Sequence, residues 1–243
     1  MREFQRQIVG ILIFFLATFE SLCFAQWRFD FCPGKASTRK SDLHIVQPSF
    51  GNDLTFSDIT YSDRSFESPL YYVVRLGRSI PSLTFLRFEA EFIHAKVYSD
   101  GHQRVRVKGA WHGQSVDRQM ALGEIVQAFS LSHGLNFIFL NVAGQYDPFK
   151  DSRNLVVVGR VGFGPMLLHT ESTVEGRRKE HFEWDGPSCQ VSAGLEFRVS
   201  GRLRGMIEYK YTRAWLRSLD LAVGHARTTL DTHHFVFGLG ICL

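Results

Sequence analysis

Histidine is the residue type to follow first. The chain has ten, and imidazole works near neutral pH as an acid, a base or a metal ligand. His94, His133, His169 and His234 are the candidate metal ligands, with Glu91, Glu171 and Glu183 able to join them. Imidazole and carboxylate together suit Fe, Zn or Cu. Glu91, His133 and His234 are the candidate acid–base residues. Ser130 and Ser132 add a second chemistry: either one, with His234 as base and Glu91 as acid, would make a hydrolytic set. Such a set needs nucleophile and base within about 3 Å. The plainer reading makes the imidazoles interfacial side chains and the serines filling for a narrow polar interior.

The elements that must hold these residues have a period of two. Cys189, Val191, Ala193, Leu195, Phe197 and Val199 alternate with Ser188, Gln190, Ser192, Gly194, Glu196 and Arg198. The same alternation covers residues 203–215 and 235–243 and, less regularly, 70–78, 83–98 and 155–168. In residues 129–139 it puts Phe129, Leu131, His133, Leu135, Phe137 and Phe139 on one face, opposite Ser130, Ser132, Gly134 and Asn136. These are strand patterns. Residues 42–50 supply the first and weakest strand, so the count is eight. Short links alternate with long ones, at 51–69, 99–126, 169–186 and 216–231. The expectation is an all-β fold: an eight-stranded antiparallel transmembrane β-barrel with short periplasmic turns and long outer loops.

The faces decide between a membrane barrel and a soluble one. The polar faces carry Gly and Ser beside Arg75, Arg87, Glu89, Glu91, Arg160, Glu196, Arg198, Arg204, Glu208 and Lys210. Opposite charges there would form a paired plug, because eight strands leave room for side chains only. The apolar faces carry large aromatics, as lipid-facing surfaces do. On a regular strand His94, His133, His169 and His233 point outward at the outer rim, and His234 points inward. A β-bulge at the rim would exchange those directions.

Residues 1–25 read as a signal peptide. Arg2 and Arg6 precede an apolar run over 8–19, and Cys23 and Ala25 occupy the small positions before a cut. Residues 26–41 are then expected as a periplasmic segment, and 42–243 as the barrel. Beyond the leader stand Cys32, Cys189 and Cys242. This is no disulfide framework and no zinc pattern. A bridge, if one forms, is expected between Cys32 and Cys242. The 243 residues carry 28 basic and 24 acidic side chains, a net +4 with no basic block, which speaks against a nucleic-acid partner. With 44% hydrophobic residues the chain is no disordered tract.

Several blocks resemble small outer-membrane β-barrel proteins of Gram-negative bacteria, including lipid A oxidases. They are Asp63-Arg64-Ser65-Phe66-Glu67-Ser68-Pro69 and the stretch from Glu91 through His94 to Tyr98. Ser132-His133-Gly134-Leu135-Asn136 follows, then Gly162-Phe163-Gly164-Pro165 with His169 and Glu171. The last are Glu208-Tyr209-Lys210-Tyr211, and Gly224 to Leu230 before Thr232-His233-His234. The chain departs from the pattern in its first strand and in ending at Leu243. The resemblance implies an outer-membrane location, lipid and lipopolysaccharide as partners, and periplasmic chaperones and assembly machinery during biogenesis. It also implies a monomer that modifies lipid A with a divalent transition metal. The competing expectations are a non-catalytic structural or ligand-binding barrel and a lipid A deacylase.

Overall fold

A computed structural model describes residues 27–80, 82–149 and 154–243. The leader expected at 1–25 lies outside the described residues. The strands are β1 (Trp27–Thr38), β2 (Ser41–Gln47), β3 (Asn52–Ile59), β4 (Tyr61–Ser62) and β5 (Tyr72–Ile80). They continue as β6 (Leu83–Ser99), β7 (Arg104–Trp111), β8 (Gln114–Ala121), β9 (Val126–Tyr146) and β10 (Leu155–Val174). The last three are β11 (Arg177–Ser200), β12 (Leu203–Asp220) and β13 (His225–Cys242).

All thirteen strands belong to one sheet, which corrects the expected count of eight. The sheet runs β1-β5-β6-β9-β10-β11-β12-β13 and closes on itself through pairing of β13 with β1. At the outer end of β13 the partner changes. Residues 232–242 pair with β1, whereas His225–Thr228 pair with Val46–Leu43 of β2. From there β3, β7 and β8 extend the sheet, and β4 pairs with β6.

Five strands account for the wrong count: β1, β3, β4, β7 and β8. Each lies in a stretch expected as N-terminal segment or outer loop. β3, β7 and β8 have eight residues each, short of the roughly 9–11 that a membrane-crossing strand needs, so a reading based on spanning strands passes over them. β1 is hidden by Pro33 and Gly34, which interrupt its alternation. It is part of the closed ring, so residues 27–38 are not a segment outside the barrel.

The membrane half is built inside out relative to a soluble protein. Phe29, Phe88, Leu140, Val161, Leu195, Ile207 and Phe237 point outward and are exposed, Leu140 at 75%. The interior holds Arg28, Asp30, Arg75, Arg87, Glu89, Glu91, Arg160, Glu196, Glu208 and Lys210, all buried. These are five cations and five carboxylates in one continuous network. Arg75 Nε reaches Glu91 at 2.6 Å and its Nη2 reaches Glu208 at 2.8 Å. Arg160 joins Glu89 at 2.9 Å, Arg87 joins Glu196 at 2.7 Å, and Lys210 joins Glu91 and Glu208 at 2.7 and 2.8 Å. Arg28 pairs with Asp30 and Glu196. Arg198 is exposed and Arg204 half-buried. Apolar outside and ion-paired inside is stable only with hydrocarbon around it, and backbone groups in hydrocarbon require closure. The protein is therefore a transmembrane barrel of the outer-membrane type. No helix among the described residues is long and apolar enough to cross a membrane, and the strands do the crossing.

The outer half is built the ordinary way. Leu43 and Ile45 of β2, Leu54 and Phe56 of β3, and Val105 and Val107 of β7 are buried with Ile93, Val97, Leu131, Leu135, Leu168 and Leu230. Phe137 and Phe139 join this interior. They are fully buried with stacked rings 5.4 Å apart, which corrects their expected place on the lipid face. The reason is that β9 passes from the polar interior into the apolar one, so its inward face turns aromatic.

Cys32, Cys189 and Cys242 are free thiols. Cys242 lies opposite Arg28, four residues along β1 from Cys32, so the two Cα positions are about 13 Å apart along the strand. That is beyond disulfide reach. Cys32 instead packs its Sγ 3.3 Å from Met206 Sδ. Alkylation of the denatured, unreduced protein is expected to label all three. A mass showing only one adduct would restore the bridge.

Candidate metal centre

The site arises from a disruption of the β9 ladder. Leu131 pairs with Thr170 and Leu135 with Leu168, so Ser132, His133 and Gly134 together face the single residue His169. Two extra residues leave the parity beyond the bulge unchanged, and Leu131 and Leu135 are both fully buried. Within the bulge the strict alternation is lost. Gly134 takes φ +143, and a Cβ there would run into the Asn136 side chain. Ser132 and His133 are thereby turned to the same side. On a regular strand they would face opposite ways.

Four polar groups converge. His133 Nδ1 lies 3.4 Å and His169 Nδ1 3.7 Å from Glu171 Oε1. Ser132 Oγ donates to Glu171 and sits 3.0 Å from His133 Nδ1 and 3.5 Å from His169 Nδ1. The two imidazoles meet edge to face with centroids 4.8 Å apart. Ligand atoms held about 2.0–2.2 Å from one ion lie roughly 3–3.5 Å from each other. Two imidazoles and one carboxylate at these spacings fit a divalent transition metal with little adjustment. Glu180 stands behind, 3.6 Å from His169 Nε2, able to orient the ring through its second nitrogen.

The cluster lies on the outer wall. His169 and Glu171 project away from Leu168 and Thr170, which face the interior. Beside it on β11 stand Phe182, with its ring 4.4 Å from that of His169, and Trp184, both more than half exposed. Val161 and Phe163, lower on β10, are exposed apolar residues of the lipid belt. The site therefore sits at the outer border of that belt, where aromatic side chains meet headgroups.

The other candidates go elsewhere. His94 binds Asn136 Oδ1 through Nδ1 at 2.7 Å and stacks on Tyr72. His233 bonds Tyr209 at 2.5 Å on the same girdle. His234 is inside and fully buried, with Tyr71 at 3.0 Å and Thr212 at 2.9 Å using both ring nitrogens. Glu91 belongs to the charge network. It pairs with Phe139 on β9, whereas His133 lies opposite Lys96, five ladder positions and about 16 Å of strand away. So His133 and His169 come together with Glu171 and Ser132, while Glu91 and His234 remain inside the barrel. Glu180 carries no signal of this role in the sequence. It lies in a stretch that the alternation leaves as loop, and only the register of the β10–β11 hairpin, Glu171 opposite Glu180, brings it near.

No family model matches this sequence, and no curated protein matches it either. The likeness to lipid A oxidases thus finds no counterpart there. Among solved structures, Neisserial surface protein A is 11% identical, with a TM-score of 0.41 over 89% of this chain and 96% of that one. The outer membrane protease OmpT from Escherichia coli is 9% identical, with a TM-score of 0.47 over 92% and 99%. The outer membrane protein OprG from Pseudomonas aeruginosa is 11% identical, with a TM-score of 0.46 over 90% and 95%. Identities this low concern fold alone. From its own geometry, this chain is an outer-membrane-type β-barrel with a two-histidine, one-carboxylate cluster on its outer wall.

Proposed function

We propose that the protein is a metal-dependent enzyme of the outer membrane that oxidises the lipid A part of lipopolysaccharide. The observation that carries this is the meeting of His133, His169 and Glu171 at the outer border of the lipid belt. Two histidines and one carboxylate on one side of an ion leave its other positions open, the donor set of non-haem iron oxygenases. Oxidising an unactivated carbon with dioxygen needs such a group, and the metal supplies that chemistry when bound. His133, His169 and Glu171 would hold it. Ser132 fixes the carboxylate through its hydrogen bond, and Glu180 steadies His169. Phe182 and Trp184 give an amphiphile an apolar bed beside the site.

A deacylase is the second reading, favoured by one distance: Ser132 Oγ lies 3.0 Å from His133 Nδ1. Mass spectrometry of lipid A from matched cells with and without the protein, grown in air, separates the readings. The oxidase predicts a gain of one oxygen. It also predicts at least a roughly 100-fold fall in that product for His133→Ala and His169→Ala, and a smaller fall, about 10-fold, for Ser132→Ala, which only orients the carboxylate. Loss of an acyl chain that disappears in Ser132→Ala would establish the hydrolase. An unchanged spectrum with folded protein in the outer membrane would leave a structural or binding barrel.

A further inference from the structure

The wall that carries the first cluster carries another on its inner side. Thr170 pairs with His181 and Leu168 with Glu183. Thr170 and Leu168 are fully buried in the interior, so His181 and Glu183 share that face, whereas His169 and Glu171 look outward. The bulge in β12 between Leu216 and Leu219 carries Asp220 to the same place. One ligand atom from each of His181, Glu183 and Asp220 lies within 4.8 Å of the others. His181 Nε2 is 3.5 Å from Glu183 Oε2.

Two observations separate this cluster from an ordinary group of charges. Both ring nitrogens of His181 are shielded from solvent and neither has a hydrogen-bond partner. An imidazole so placed is anomalous unless something accepts its donor or uses its lone pair. In addition, the carboxylate beside it is already oriented. Glu183 Oε1 accepts from Thr170 Oγ1 at 2.6 Å, and Oε2 accepts from the Asp220 backbone N–H at 3.2 Å. Such outer bonds hold metal-ligating carboxylates in place. Against this stands Lys179, whose Nζ is 3.3 Å from Asp220 Oδ2 and which supplies a rival positive charge.

We propose that His181, Glu183 and Asp220 form a second divalent-metal site of zinc type, reached from the external medium on the exposed Asp220 side. One imidazole and two carboxylates leave a fourth position for water. The ion would tie the β10–β11 hairpin to the end of β12 and give the orphaned imidazole a partner. Lys179 would be its competitor for Asp220. The site does not depend on the oxidase reading.

The test is zinc titration of the full protein in detergent after chelator treatment. Bound metal is counted by elemental mass spectrometry, and folding is checked by electrophoretic mobility with and without heating. Two zinc equivalents are expected in the unaltered protein, with one lost in His181→Ala or Asp220→Asn and the other in His169→Ala. Lys179→Met should tighten the His181-dependent equivalent several-fold, because a competing cation is gone. A single equivalent lost in His181→Ala but kept in His169→Ala would sustain this site and overturn the outer-wall centre. Stoichiometry unaffected by both His181→Ala and Asp220→Asn would overturn the proposal. So would weaker binding in Lys179→Met.

Discussion

Arg75→Ala is expected to lower the unfolding free energy of the barrel by about 3–5 kcal/mol, or to prevent assembly outright. Arg75 is 1% exposed and touches four carboxylates: Glu91 at 2.6 Å, Glu208 at 2.8 Å, and Asp30 and Glu89 at 3.4 Å each. Its removal leaves five buried carboxylates against four cations. The carboxylates left behind are buried, and the orphaned charge, more than the lost contact, sets the cost. Neutralising one partner at the same time should recover part of it, so Arg75→Ala with Glu208→Gln should be more stable than Arg75→Ala alone. Urea unfolding in lipid vesicles, followed by tryptophan fluorescence, measures both. A loss below about 1 kcal/mol for the single variant would mean that water reaches the network, since exposed pairs contribute that little.

Leu140→Arg is the second large effect, expected at about 2–4 kcal/mol in the same assay. Leu140 is the most exposed large apolar residue of the barrel wall, and its neighbours across the ladder are Ala90 and Phe163. In water an Arg at so exposed a position would change stability by no more than about 0.5 kcal/mol. In hydrocarbon it must be hydrated or must snorkel. Lys108→Leu is the control, an exposed residue on β7 in the outer extension, where little change is expected. Equal small effects at both positions would contradict the membrane placement of residues 140–163.

Legibility of the fold follows the contrast between the two sides of the wall. Where lipid faces a charged interior, each strand alternates sharply, and the pairing of Arg87 with Glu89 is legible from spacing alone. The cross-strand partners of Glu196 and Glu208 are not: the spacing suggests Arg198 or Arg204, whereas register brings Arg28, Arg87 and Arg160 to Glu196 and Arg75, Arg160 and Lys210 to Glu208. Where the interior becomes apolar the contrast weakens. Phe137 and Phe139 look like lipid-facing residues because both sides of β9 are then compatible with aromatics. β3 and β7 alternate well, with Leu54 and Phe56 or Val105 and Val107 inward. They are too short to span, so they resemble loop. Period two also fails at bulges, and the candidate site is made by one. His133 and His169 are recognisable as ligands by type. Their meeting with Ser132 depends on the three-against-one register at His169, which no spacing along one strand encodes.

The distribution of the ten interior charges along the chain has a consequence for how such a barrel is made. Arg75 on β5 is matched by the net single negative charge of Arg87, Glu89 and Glu91 on β6. Arg160 on β10 is matched by Glu196 on β11. Arg28 with Asp30 on β1, and Glu208 with Lys210 on β12, cancel within one strand. Neutrality is thus local to each strand or hairpin and does not wait for ring closure. A chain that delivers β5 with β6 and β10 with β11 as hairpins, and the other strands of the ring in any grouping, brings no net charge from this network at any stage, so the electrostatic penalty of insertion never accumulates. Exchanging Arg160 and Glu208, which would preserve the total, would leave the β10–β11 hairpin with two negative charges and β12 with two positive ones. Assembly would then stall even though the finished composition is unchanged.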